Sequence, residues 1–364
     1  MAQDLKYGIE SESVSADDDS RYMAINLTML TILPMAMKAF TELGIADILA
    51  GGKKPMTAEE IVAKLPTKSA AGAARNLRRL LRPLVREGVL SQSLNEEDKT
   101  VYGLTEISKW FTSNIEFSAL PYARLNYCSD YLALWSRMKE VILDDSAIPF
   151  EAQHGMPFFD YTQKDAEFMT KFHDGMLCVS QLQFKEVVDH LQHSGILEGV
   201  NTFVDVGGGR LAPIVGYIVA QNPHIQGINF DLPEIIATAP PLKGVEHVGG
   251  NFFKSVPTGD AIFMKLILHA LGDDEAMLLL KNCFKALPTN GKVILAEYVL
   301  NEGQEKSATG RYAEFQDIKM MSIHKGGKER TGKEYHALME TAGFSHVSLI
   351  SSPGRMDLVQ AIKA

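Results

Sequence analysis

Apolar positions in the first half of the chain recur every three to four residues, and from about residue 201 they gather into short continuous runs. The first pattern is that of amphipathic helices, the second that of buried strands. Residues 1–20 are polar and predict a frayed end. Residues 21–50 read as helix, with Pro34 as a kink or boundary because proline has no backbone N–H. Thr57 precedes Glu59 and Glu60 and then Ile61, Val62 and Leu65, which marks a helix start. Leu77, Leu80, Leu81, Leu84 and Val85 give a helix over 75–86 one apolar face. VLSQS, a polar turn at 95–99 and VYGLT then predict a hairpin. Helix, helix, hairpin is the order of a winged helix-turn-helix. Residues 112–195 read as mainly helical and rich in Met, Tyr and Phe, most clearly in LALWSRMKEVIL (132–143) and from 168 to 191.

Strands are predicted at 202–206, in HIQGINFDLP, and at 245–248, 261–268, 292–298, 345–350 and 357–362, with helices between most of them. Only SSPG (351–354) separates the last two, so they should pair antiparallel. The expected architecture is a helical, winged-helix unit over 1–112 and an α/β unit over 113–364. The second opens with a helical pocket segment (113–195).

Composition narrows the function. With 364 residues, 46% hydrophobic and 22% charged, the chain has ample core for two domains. A net charge of −9 favours neither nucleic acid nor an anionic membrane. Arg75, Arg78, Arg79, Arg82 and Arg86 alone suit nucleic acid, and on an acidic chain they read as the solvated face of a packing helix. Pairing of subunits is the better use for that unit. Cys128, Cys178 and Cys283 form no CxxC pair, so neither a disulfide framework nor a zinc site is expected. No run of about 18 apolar residues predicts a membrane span, and the acidic N-terminus lacks the shape of a signal peptide. A cytoplasmic location and a metal-independent reaction are the expectations.

The chemistry concentrates in the α/β half. Gly207, Gly208 and Gly209 follow a strand and open a helix, where glycine lets the backbone approach a ligand. Asp231 ends the next strand, placed to accept the ribose hydroxyls of an adenosine cofactor. Both NAD and S-adenosylmethionine (SAM) fit this pair. His269 and Glu297 lie near the ends of two further strand-like runs, on the side where an open α/β sheet presents its ligand crevice.

GVEHVGGNFFKSVP (244–257), DAIFMKLILH (260–269), LKNCFKALPTNGKVILAEYVL (280–300) and GGKERT (326–331) resemble the plant small-molecule O-methyltransferases of the caffeic acid type over nearly the whole chain. The resemblance implies a Rossmann-like SAM-methyltransferase sheet with an antiparallel last strand. It also implies a homodimer formed by the winged-helix unit. It implies SAM held by Gly207, Gly208, Asp231, Asn251, Phe252 and Lys265, and His269 as the base, supported by Glu297 and Glu329. An aromatic acceptor would meet Phe172, Met176, Met320, His324 and Tyr127. A phenol with a pKa of about 10 is mostly neutral at pH 7, so a neutral imidazole that accepts its proton would speed attack on the sulfonium methyl.

The chain departs from the family pattern at Arg210-Leu211 in the glycine loop, at Asn251, at Leu266 and at Ala270-Leu271 after the base. Two accounts follow. One is drift within a working methyltransferase of plant phenolics. The other is a repurposed enzyme that does not methylate and uses His269 for isomerisation, cyclisation or elimination on a similar aromatic ligand.

Overall fold

The computed structural model describes residues 16–52, 54–301, 307–351 and 356–364. The expected polar end is thus outside it up to residue 15, and so is most of the SSPG turn (352–354). The chain forms two compact units, Met1–Tyr127 and Cys128–Ala364.

In the first unit α1 (Ala16–Thr28), α2 (Ile32–Glu42) and α3 (Ile45–Ala50) occupy the stretch expected to be helical. Pro34 does not kink it. It lies in the first turn of α2, where a missing N–H breaks no helical bond. The chain instead turns at 29–31 and at Gly44, whose φ is +61°. β1 (Met56–Thr57) leads into α4 (Ala58–Val62), where Thr57 and Glu60 satisfy each other's backbone N–H groups. α5 (Ala70–Arg86) buries Leu77, Leu81 and Leu84 and leaves Arg75, Arg79, Arg82 and Arg86 in solvent. β2 (Leu90–Leu94) and β3 (Thr100–Leu104) form the hairpin, and β1 joins the other edge of β3. α6 (Leu120–Asn126) packs on α2. That packing carries the first unit to Tyr127, past the boundary at 112 that composition suggested.

The second unit opens with α7 (Ser129–Leu134), α8 (Met138–Leu143), α9 (Pro149–His154), α10 (Phe158–Lys164) and the long α11 (Ala166–His193). LALWSRMKEVIL is not one helix, because a 3₁₀ turn at Trp135–Arg137 separates α7 from α8. β4 (Thr202–Val206), α12 (Pro213–Gln221), β5 (Gln226–Asp231), α13 (Pro233–Ile236), β6 (Val245–Gly249) and β7 (Ala261–Lys265) follow. After them come α14 (Asp273–Ala286), β8 (Lys292–Glu297), β9 (Val299–Leu300), α15 (Ala308–Ile323), β10 (Arg330–Thr331), α16 (Gly332–Ala342), β11 (Ser345–Ile350) and β12 (Asp357–Ile362).

Seven strands form one sheet in the order β11-β12-β8-β7-β4-β5-β6. β4 to β8 run parallel, and β12 is antiparallel to both β8 and β11, as the short last connection predicted. Alternate residues of each strand feed two cores. Val204, Ile262, Met264 and Leu295 meet α14 and α16 on one face. Phe203, Phe263, Ile294 and Ala296 meet α11 and α12 on the other. The strand order reverses between β4 and β7, so a crevice opens at their carboxyl ends.

Candidate active site

Four parallel strands deliver residues to that crevice: Gly207 after β4, Asp231 at the tip of β5, Lys265 at the end of β7 and Glu297 at the end of β8. Gly207 and Gly209 have φ of +74° and +73°, the left-handed region that glycine enters without penalty. A side chain at Gly207 would run into Ile267 at 2.5 Å, and one at Gly208 into the Asn229 amide at 2.5 Å and the Asp205 carboxylate at 2.9 Å. The turn is therefore pressed flat on its support. Asp231 accepts from the Gly209 N–H at 2.9 Å, and Asn229 donates to the Gly209 carbonyl at 2.9 Å. Gly250 N–H donates to the Asp231 carbonyl, which ties the tips of β5 and β6 together.

The expected strand 261–268 stops at Lys265. Leu266 has a φ of +53°, uncommon for a residue with a side chain, and turns the chain out of the ladder. Leu268–Ala270 form a 3₁₀ turn, so His269 stands on that turn and not on the strand. One oxygen of Glu297 accepts from the Ile267 and Leu268 N–H groups at 3.2 and 3.0 Å and so caps the turn. Arg330 closes it from the other side, donating to the Leu268 and Leu271 carbonyls at 2.7 and 2.9 Å and to Asp273. His269 Nδ1 lies 2.8 Å from Glu329 Oε1. Glu329 is held in turn by its own N–H, which donates to Asp317.

His269 is 7% exposed, Glu329 2% and Glu297 0%. Burial alone would lower the His269 pKa, but the hydrogen bond and charge of Glu329 outweigh it and leave the imidazole more basic than usual. Burial pushes the Glu297 acid up to about 7. Spacing along the chain offered no metal-ligand pattern, yet the fold gathers this histidine and two carboxylates with their ligand-type atoms within 4.8 Å of one another.

Lys265 donates to Gln183 of α11 at 3.2 Å, and burial lowers its pKa to about 8. Asp205, beneath Gly208, is buried and pushed up to about 7. Gln183, Asp205, Asn229 and Arg330 escaped the sequence reading. Asp205 carried a signal, an acid inside the apolar run TFVDV, but the other three act through contacts from distant segments.

The remaining sequence candidates divide. Asn251 is exposed, and its side-chain oxygen accepts from the Phe253 N–H, so it shapes the turn after β6. Phe252 is half-buried against the core and stacks edge-on with Phe253 at 4.6 Å. His324, just past α15, lies between Phe158 and Phe159 at ring distances of 5.5 and 5.4 Å. Burial and the nearby His269 lower its pKa to about 4, so it is neutral. Phe158 also packs edge-on against Phe172 at 5.1 Å, which joins α11 to the same aromatic wall. Met176 is half-buried one turn along α11, and Met320 is buried on α15. Tyr127 packs against the core of the first unit. Arg210 and Leu211, the departures most able to obstruct a ligand, are both exposed and leave the glycine turn unfilled.

The O-methyltransferase domain family matches residues 135–345, and the O-methyltransferase dimerisation domain matches 25–114. The chain is 40% identical to desmethyl-yatein O-methyltransferase of Sinopodophyllum hexandrum, over 90% of this chain and 94% of that one. It is 39% identical to caffeic acid 3-O-methyltransferase of Zea mays, over 90% and 92%. It is 36% identical to anthranilate N-methyltransferase of Ruta graveolens, over 98% and 97%. The fold is that of human N-acetylserotonin methyltransferase in complex with SAM, with a TM-score of 0.78 at 21% identity over 96% of this chain and 100% of that one.

Proposed function

The chain belongs to the O-methyltransferase family of the caffeic acid O-methyltransferase type, and on that premise we propose that it methylates a hydroxyl of a plant phenolic with His269 as base. SAM is the cofactor, and the enzyme pairs as a homodimer through its N-terminal dimerisation domain. The residues present fit SAM. Close approach at the flattened glycine turn needs Gly207 and Gly208, Asp231 offers carboxylate acceptors to a ribose, and Arg210 keeps its positive charge in solvent. When bound, SAM supplies an electrophilic methyl carbon on a positively charged sulfur.

The protein's own part is to hold the acceptor and take its proton. His324, Phe158, Phe172, Met176 and Met320 would flank a flat ring, and a neutral His324 leaves that wall uncharged. His269 directs Nδ1–H at Glu329, which leaves Nε2 as the lone pair that accepts the phenol proton. The charge on Glu329 stabilises the imidazolium formed. Asn251, Phe252 and Lys265 would line the cofactor, Lys265 near neutral charge balance with Asp205.

The observation that carries this reading is the buried His269–Glu329 pair at the strand ends beside the glycine turn. It also favours oxygen over nitrogen as the acceptor atom, because a phenol must lose its proton during attack whereas an amine attacks through a free lone pair. Among the described residues Cys128, Cys178 and Cys283 are buried and in no disulfide, which supports a cytosolic location.

Incubation with SAM and a panel of phenols, caffeic acid and anthranilate included, tests the proposal. A mass gain of one methyl on oxygen is expected. His269→Ala should lower turnover ~10²–10⁴-fold while binding S-adenosylhomocysteine as the parent does. Methylation of anthranilate alone, or no calorimetric binding of SAM at millimolar concentration, would overturn it.

A further inference from the structure

Two buried oxygens in the active site have no hydrogen-bond partner among the described residues: Oε2 of Glu297 and Oε2 of Glu329. Each carboxylate uses its other oxygen, Glu297 on the Ile267 and Leu268 N–H groups and Glu329 on the His269 imidazole. A buried polar atom left without a partner is costly and calls for an explanation. Two carboxylates this close, in a site closed to solvent, do not both ionise readily. A proton on one of them removes that repulsion and leaves a neutral acid, which costs less to bury than a charge.

We propose that Glu297 holds a proton and Glu329 does not, so that a single negative charge faces His269. The geometry says which carboxyl carries it. Glu329 faces the imidazole N–H and is the partner that must be charged once the base has taken a proton. Glu297 faces two neutral backbone N–H groups, which the carbonyl oxygen of a protonated acid satisfies as well. Complete burial and the Glu329 charge favour the proton on Glu297. The groups that oppose it are Lys265 from β7, Arg330 from β10 and His269 once it is protonated. Tyr335 of α16 faces both carboxylates, and Asp317 of α15 reaches Glu329 through its backbone N–H. The consequence concerns the base. Two negative charges would hold a proton on the imidazole and withdraw it from service; one lets Nε2 stay free near neutral pH and still stabilises the imidazolium.

The inference rests on His269 as base, so its test has one readout that does not. Glu297→Gln replaces a neutral acid by a neutral amide, whose oxygen takes the same two backbone N–H groups. Glu329→Gln should lose ~100-fold or more in turnover, because the charge facing the imidazole goes. The acid limb of the pH–rate profile should stay in place in Glu297→Gln, since a neutral group replaces a neutral group. An acid limb moved downward in Glu297→Gln would overturn the proposal. Infrared spectra of the protein at neutral pH, without cofactor or acceptor, should lose one protonated-carboxyl carbonyl band in Glu297→Gln. Identical spectra would overturn the proposal whether or not the protein methylates a phenol.

Discussion

The proposed base, His269, depends on the residue on the far side of its ring. Glu329 makes the imidazole more basic than an exposed one despite its burial. A base functions only when unprotonated, so activity should fall as pH drops through the raised pKa. We expect the acid limb of kcat/KM to lie above 6.5, the ordinary imidazole value. Glu329→Gln removes the charge that holds the proton, so the limb should move to lower pH while kcat falls; an unmoved limb would mean that His269 is not the titrating base. His269 was legible because a strand-like run ends on it beside a glycine turn and an acid. Glu329 was legible only through the GGKERT block, because the hydrogen bond that gives it meaning spans 60 positions of chain.

At the scale of elements, the turn after β7 decides the site. The apolar run 261–268 predicts a strand to its end, but Leu266 adopts a left-handed backbone and the last residues close into a 3₁₀ turn. Local sequence does not demand this. Glu297 and Arg330, from two other segments, satisfy the N–H and carbonyl groups that a shorter strand leaves over. Arg330→Met should therefore strand the Leu268 and Leu271 carbonyls and leave Asp273 with Lys328 alone. We expect a loss of ~3 kcal/mol of stability in urea unfolding, with kcat falling more than the acceptor KM rises. Parent-like stability with normal kcat would show that the turn holds without the guanidinium. The short helices α7 and α8 tell the same story, because the apolar pattern of 132–143 suits one helix and packing divides it.

At the scale of the molecule, the N-terminal unit carries an apolar surface that a monomer would leave in water. Tyr22, Met23, Ile25, Leu27, Met29, Leu30 and Ile32 are each at least 50% exposed. Such a strip is far beyond the scattered apolar residues of ordinary surfaces, and most of it falls within the dimerisation domain. Burial on a second copy accounts for it. Leu27→Asp with Leu30→Asp should shift the protein from dimer to monomer in sedimentation equilibrium, and a dimer of unchanged affinity would place the interface elsewhere. Among the described residues no single helix is long and apolar enough to cross a membrane.

By itself the sequence determined the two-part plan, roughly where the strands of the sheet fall along the chain, the antiparallel last pair and the positions of the glycine turn, Asp231, His269 and Glu297. Each of these is encoded locally, in the period of apolar residues and in the few residue types that tolerate a tight turn or end a strand. Tertiary structure decided where β7 stops, which acid holds the imidazole, that Arg210 and Leu211 face solvent, and that two carboxylates and a histidine share one dry site. Those outcomes depend on contacts between segments far apart in the chain, and on the loss of water around charges, which residue order does not express.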